Sequence, residues 1–133
     1  MPMSTLNVTT IQADLYWENK EENLNMFADR IRRLPEGTEL VVLPEMFSTG
    51  FSMDASALAE KMDGETIRWM KTLAAAQRII LTGSVIIEED GHYFNRLIWM
   101  LPNGQMGIYD KRHLFAYAGE HLHYTPGTRR VIA

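Results

Sequence analysis

The sequence contains no cysteine. Disulfide bonds are therefore excluded, and so is a thiol nucleophile within the 133 residues. No apolar run approaches the roughly 20 residues that span a bilayer, and the first residues lack the basic start and apolar stretch of a signal peptide. These absences predict a cytoplasmic protein without a membrane partner.

An excess of positive charge is also absent. The 13 basic and 17 acidic residues give a net charge of −4, and both signs are mixed along the chain. Nucleic-acid-binding proteins usually carry a basic face or stripe, so we expect no nucleic-acid partner. Hydrophobic residues make up 46% and charged residues 23% of the chain, which is typical of a globular protein of one domain.

The spacing of apolar residues predicts an α/β fold. Residues 21–34 and 65–77 carry apolar side chains at helical spacing. Runs typical of strands occupy residues 6–13, 40–43, 79–87, 93–100 and 107–110. The order β-α-β-α-β-β-β combines parallel crossovers with hairpins, which indicates layers of helices and sheet.

Three smaller features complete this pattern. Residues 47–57 are predicted to form a loop, and residues 130–133 resemble the start of a further strand. Gly83 lies within a predicted strand, where a glycine marks a bulge or a close approach of the backbone. Because the chain ends on a strand with no predicted partner, we expect it to be truncated.

Glu45 is the first candidate for chemistry because it directly follows the buried strand at residues 40–43. Open α/β sheets place their sites at the carboxyl ends of strands. Its apolar neighbours Leu43, Met46 and Phe47 predict partial desolvation, which raises a carboxyl pKa toward the range of a general base. Position alone favours a glutamate that caps a strand and faces water.

Lys111 and Glu120 are the other two charged candidates. Lys111 ends a short predicted strand, where an ammonium group could stabilise the charge that develops on a carbonyl oxygen. Glu120 could complete a network of two carboxylates and one lysine. Taken singly, the position of Lys111 favours a solvated lysine in a charged run, and that of Glu120 favours a residue of a surface loop.

The sequence gives little support for a metal site, a phosphate-binding loop or a serine nucleophile. The spacing of His121 and His123 could suggest a metal, but a zinc site needs three or four ligands, so we expect no metal there. The sequence contains neither a glycine-rich phosphate loop nor a G-x-S-x-G nucleophile elbow. These residues therefore offer no other nucleophile.

In combination, the three charged residues resemble the nitrilase superfamily of carbon–nitrogen hydrolases. Residues 43–51, LPEMFSTGF, resemble its first motif, an apolar strand followed by Pro-Glu, an aromatic residue and a glycine. Residues 109–115, YDKRHLF, resemble its second motif, and Glu120 precedes a Pro-Gly turn at residues 126–127 as the second family glutamate does. The residues of these two motifs are most similar to those of the omega-amidase branch.

The resemblance implies an activity and a role for each residue. Omega-amidases hydrolyse the terminal amide of short α-keto or dicarboxylic acid monoamides. By this resemblance, Glu45 is the general base for a cysteine thiol, Lys111 stabilises the tetrahedral intermediate, and Glu120 orients the network. The partner is then a small-molecule amide, and neither a metal nor an organic cofactor takes part.

The sequence departs from the family in one respect, because the family cysteine lies beyond the Pro-Gly turn. The resemblance therefore implies that residues 1–133 are the N-terminal half of a four-layer α-β-β-α sandwich, inactive alone and with one apolar sheet face uncovered. That half could pair with itself or with a complementing C-terminal half. Two alternatives are a natural half-domain that acts as a non-catalytic binding or assembly module, and an unrelated α/β domain.

Overall fold

The computed structural model describes residues 4–133. Its strands are β1 Val8–Thr10, β2 Leu40–Val42, β3 Ile80–Glu89, β4 His92–Met100 and β5 Met106–Asp110. Its helices are α1 Lys20–Arg32, α2 Ala55–Leu58 and α3 Glu65–Gln77, and two turns of 3-10 helix follow at Ala116–Ala118 and Glu120–Leu122. The predicted order of elements is confirmed, except that α2 forms within the end of the predicted loop.

The strands form one mixed sheet whose spatial order, β1-β2-β3-β4-β5, is the order of the chain. The pairs β1-β2 and β2-β3 are parallel, because α1 and α3 provide the crossover connections. The pairs β3-β4 and β4-β5 are antiparallel. Strands β2, β3 and β5 therefore run in the same direction, and the segments that follow β2 and β5 emerge on the same side of the molecule.

The main core lies between one face of the sheet and the helices α1 and α3. Asn19 caps α1, because its side chain accepts a hydrogen bond from the amide of Glu22 at 3.2 Å. The apolar stripe of α1 then packs with that of α3 onto alternate residues of the central strands. The fully buried members of this core include Phe27, Val41, Phe47, Met70, Leu81, Ile87 and Ile98.

The opposite face of the sheet is only partly covered. The segment after β2 and the end of the chain bury a second, smaller cluster of Met46, Ala55, Ile86 and Tyr124 at one end of this face. Elsewhere the face is open, and Leu97 of β4 remains 38% exposed. The expected uncovered apolar face is therefore present over part of the sheet.

The hairpin between β3 and β4 is tighter than the sequence predicted. Both strands extend to a two-residue turn at Asp90 and Gly91, whose φ angles are 53° and 79°. Positive φ at both central positions is the requirement of a type I′ turn, which Asp-Gly satisfies. This turn fixes the register in which Asn95 lies opposite Ile86.

The prediction of a strand at residues 130–133 is wrong. A strand requires a hydrogen-bonded neighbour, and none of the described strands pairs with these residues. Ile132 is 98% exposed. Among residues 4–133, no helix is long and apolar enough to cross a membrane.

Gly83 confirms the predicted close approach within β3. A Cβ atom at this position would lie 2.7 Å from the ring of Phe47 and 3.0 Å from Cβ of Leu43. Phe47 is fully buried and cannot move away without disturbing the main core. The glycine therefore allows the turn that carries Glu45 to pack directly on the sheet.

We expect Gly83→Ala to lower the free energy of unfolding by about 1–3 kcal/mol, because the added methyl group overpacks the core. Gly107→Ala is the matched control, since a Cβ there would meet only Trp99 at 3.7 Å, an ordinary contact. Its effect should stay within roughly 0.5 kcal/mol. Urea unfolding of both variants measures the difference, and equal stabilities would contradict the packing argument.

Candidate active site

The segment after β2 forms a tight turn that presents Glu45. The amide of Leu43 still pairs with the carbonyl of Thr82 at 2.8 Å, and the chain then turns over residues 45–49. Met46 adopts the left-handed region with φ of 48°, and its amide donates to Oγ of Ser84 at 2.8 Å. Such a conformation is costly for a non-glycine residue, and the Ser84 contact helps to hold it.

The side chain of Glu45 is only partly covered, unlike those of its apolar neighbours. Met46 and Phe47 are fully buried, whereas the side chain of Glu45 is 46% exposed. The reason is geometric, because the turn directs its two large apolar side chains into the two clusters and leaves the carboxylate at the surface of the open face. Glu45 does lie just beyond the end of a buried strand, as predicted.

Lys111 directly follows β5, and its backbone is held on both sides. Its amide donates to the carbonyl of Asn95 at 3.0 Å, and its carbonyl accepts from the amide of Gly127 at 2.9 Å. Its Nζ atom lies 2.8 Å from Oε2 of Glu45 and 3.0 Å from Oε1 of Glu120. The structure thus brings the three predicted site residues together around one ammonium group.

Glu120 is fully buried, unlike Glu45. Its Oε1 atom accepts a hydrogen bond from the amide of Phe115 at 2.6 Å, in addition to the contact with Lys111. Its Oε2 atom accepts from the side-chain amide of Asn95 at 3.0 Å. The expectation that Glu120 belongs to the polar network is consistent with this arrangement, whereas the reading as a surface loop residue is wrong.

These contacts shift the protonation equilibria of two groups. Burial alone would raise the pKa of Glu120, but hydrogen bonds from Phe115, Asn95 and Lys111 outweigh it and hold the pKa below its ordinary value. Burial alone would lower the pKa of Lys111, but hydrogen bonds to Glu45 and Glu120 hold it above its ordinary value. At neutral pH, Glu120 is a carboxylate and Lys111 is an ammonium ion.

Asn95 is a site residue that the sequence reasoning missed. It is only 2% exposed, and its Nδ2 atom donates to Oε2 of Glu45 at 2.7 Å and to Oε2 of Glu120 at 3.0 Å. One signal was available, because an amide stands in the middle of a strand of large apolar and aromatic residues. Its orientation toward the carboxylates depends on the register of the β3-β4 hairpin, which the sequence did not reveal.

A cavity of about 260 Å³ lies on the open face beside these residues. The side chains of Glu45, Asn95 and Lys111 form its polar end, and Val42, Leu97 and Tyr109 form its apolar wall. Its volume is below the range of drug-sized ligand sites, so it suits a ligand of a few heavy atoms.

The chemistry that this arrangement can perform is proton transfer and stabilisation of an oxyanion. Glu45 supplies a partly exposed carboxylate, and Lys111 supplies a fixed cation beside it. Within residues 4–133, no group of three or more histidine, aspartate or glutamate side chains is arranged to hold a metal ion. The sequence contains no cysteine, so these residues supply no thiol nucleophile.

Comparisons with known proteins agree with these features. Residues 7–132 match the profile of a family described as carbon-nitrogen hydrolase. The chain is 38% identical over 130 residues to an omega-amidase, YafV, of Escherichia coli K12. That alignment covers 98% of this chain and 50% of the relative. The chain is also 26% identical over 124 residues to a 2-oxoglutaramate amidase of Bacillus subtilis, and the alignment covers 91% of this chain and 48% of that relative.

A solved structure extends the likeness to the fold. A CN-hydrolase superfamily protein of Xanthomonas campestris, with an arsenic adduct in its active site, matches with a TM-score of 0.92 and 39% identity. The match covers 97% of this chain and 49% of that protein. The chain therefore spans about half the length of the relatives it matches, and the predicted α/β fold class is confirmed.

We expect Glu120→Gln to change the pH dependence of stability. Because the pKa of Glu120 is lowered in the folded protein, the stabilisation by its carboxylate is complete above the ordinary value of 4.5. That stabilisation is lost as the pH falls through the lowered folded value. The variant should be less stable by roughly 1–3 kcal/mol at pH 7, and this deficit should shrink in acid.

Urea unfolding between pH 3 and pH 7 measures this effect. Glu36→Gln is the control, since Glu36 is exposed in the turn after α1 and should show no such deficit. A deficit for Glu120→Gln that does not change with pH would contradict the role assigned to the ionised carboxylate.

Proposed function

The chain belongs to the carbon–nitrogen hydrolase family, and we propose that it carries the acid–base and oxyanion-stabilising groups of an omega-amidase. The observation that carries the proposal is the position of Lys111 Nζ, within 3.0 Å of both Glu45 and Glu120 beside the cavity. The substrate class is a short α-keto or dicarboxylic acid monoamide. Two relatives whose names state an amidase activity support this class.

In the proposed reaction, Glu45 accepts the proton of a cysteine thiol that lies outside these residues. The sulfur attacks the amide carbon, and Lys111 stabilises the negative charge on the carbonyl oxygen. Glu45 returns the proton to the leaving nitrogen, which departs as ammonia, and a thioester remains. Water then loses a proton to Glu45 and its oxygen attacks the thioester carbon. The C–S bond breaks, the carboxylic acid leaves, and Glu45 returns the proton to the sulfur.

The contacts of Glu45 support its role as the base. Both Asn95 and Lys111 bond to its Oε2 atom. Its Oε1 atom accepts no hydrogen bond from the described residues, so both lone pairs of that oxygen remain available to a proton. With 46% of the side chain exposed on the open face, a reacting group can reach that oxygen.

Release of ammonia from the amide of a short α-keto acid tests the proposal. The proteins compared are the longest polypeptide that the gene encodes and the 133-residue chain. We expect activity only where a cysteine follows these residues. Activity of the chain alone would contradict the cysteine mechanism, and inactivity of both would favour a non-catalytic binding or assembly module.

We expect Glu45→Gln to abolish ammonia release in the active protein, because an amide oxygen cannot take the thiol proton. Folding should be little affected, since Gln retains an oxygen that can accept from Asn95 and Lys111, and we expect a change in unfolding free energy of about 0.5 kcal/mol or less. The exposed Glu36→Gln serves as the control with full activity. Near-normal turnover of Glu45→Gln would rule out its role as the base.

We expect Lys111→Ala to lower kcat by roughly 100-fold or more, the scale of a lost oxyanion donor. Lys61→Ala is the matched control, because Lys61 is 75% exposed and its nearest carboxylate, Glu88, lies 3.7 Å away. Steady-state kinetics of both variants give the comparison, with circular dichroism to check folding. A change confined to KM would mean that Lys111 only binds substrate.

A further inference from the structure

We infer that Asn95 is a positioning residue, whose side-chain amide holds the carboxyl groups of Glu45 and Glu120 in place on either side of Lys111. The inference rests on the proposed function and adds a further residue to its site. Asn95 is 2% exposed and lies in the middle of β4, on the face that carries the cavity. It therefore acts on the reaction through the glutamates.

The two hydrogen bonds use the full donor capacity of one nitrogen. Nδ2 of Asn95 has two hydrogens, and one is directed to each glutamate, at 2.7 Å and 3.0 Å. Its Oδ1 atom is buried and has no hydrogen-bond partner among the described residues. The reverse orientation would place that oxygen against two carboxylates, so the charges of the glutamates fix the orientation of the amide.

The backbone of Asn95 positions the third group. Its carbonyl accepts the amide of Lys111 at 3.0 Å, just beyond the last residue pair of β4 and β5. One residue of a central strand therefore contacts Glu45, Glu120 and Lys111. Glu45 follows β2, Lys111 follows β5, and Glu120 lies in a turn of 3-10 helix. Asn95 therefore links residues from three separate segments of the chain.

The neutrality of the amide explains why this residue type suits the position. An aspartate would add a third carboxylate to the cluster, and a lysine or arginine would compete with Lys111 for the two glutamates. The amide donates to the ionised form of each glutamate and has no charge of its own. Removing it deletes one of the hydrogen bonds that hold the pKa of Glu120 below its ordinary value, so that carboxylate becomes easier to protonate.

The test compares Asn95→Leu, which has a similar volume and no donor, with Asn103→Leu in the exposed turn after β4. In the longest polypeptide that the gene encodes, we expect Asn95→Leu to move the acid limb of the kcat/KM profile upward by about one pH unit, with kcat reduced more than KM is changed. In ¹³C NMR, the carboxyl of Glu120 should titrate at higher pH than in the wild type. Asn103→Leu should change neither property.

A purely structural role would lower stability and leave both titrations unchanged, and this result would overturn the inference. The NMR titration does not depend on turnover. Inactivity of the wild-type protein would therefore count against the amidase proposal, while the carboxyl titration of Glu120 would still decide the role of Asn95.

Asn95→Asp provides a second variant in case Asn95→Leu does not fold. The new carboxyl group would lie beside Glu45 and Glu120, so it would hold a proton to higher pH than in the unfolded chain. We expect its loss of stability relative to the wild type to be small at pH 4 and to grow toward pH 8. A deficit that is constant over this range would overturn the inference.

Discussion

The ammonium group of Lys111 lies between two carboxylates, and the rest of the site depends on that placement. Two glutamates cannot share so small a volume as ions without a cation and hydrogen-bond donors, because repulsion and desolvation would protonate one of them. Nζ of Lys111 lies 2.8 Å from Glu45 and 3.0 Å from Glu120. The side-chain amide of Asn95 and the backbone amide of Phe115 donate further hydrogen bonds to the two carboxylates. The parallel alignment of β2 and β5 makes this possible, since both strands deliver their following residues to one side of the sheet.

Much of this arrangement follows from sequence. The strand before Glu45 is an uninterrupted apolar run, so the carboxyl-end rule for α/β sheets identified Glu45 as a candidate, and Lys111 was a candidate because it ends another short strand. The order of the charged residues within the two motifs then identified the family, which the comparisons confirm. The two long helices followed from apolar periodicity, because a stripe that must be buried leaves a strong signal.

The remaining features depend on tertiary contacts that local patterns do not encode. The role of Asn95 follows from the hairpin register, and the exposure of Glu45 follows from a turn in which Met46 takes a positive φ. The short helix α2 has only four residues, too few for a periodic pattern. Residues 130–133 are apolar enough for a strand, but strand formation requires a paired neighbour, which no described strand provides.

The unequal surroundings of Glu45 and Glu120 favour different roles for the two glutamates. Glu120 is fully buried and bonded through both oxygens, so taking up a proton would break contacts with Phe115, Asn95 or Lys111. Glu45 is 46% exposed, and among residues 4–133 it is hydrogen-bonded through Oε2 only, so its Oε1 can exchange a proton without breaking these contacts. A base that must cycle twice in each turnover needs the second environment, and an orienting residue needs the first. This contrast supports Glu45 as the proton carrier and Glu120 as the fixed charge that keeps Lys111 in place.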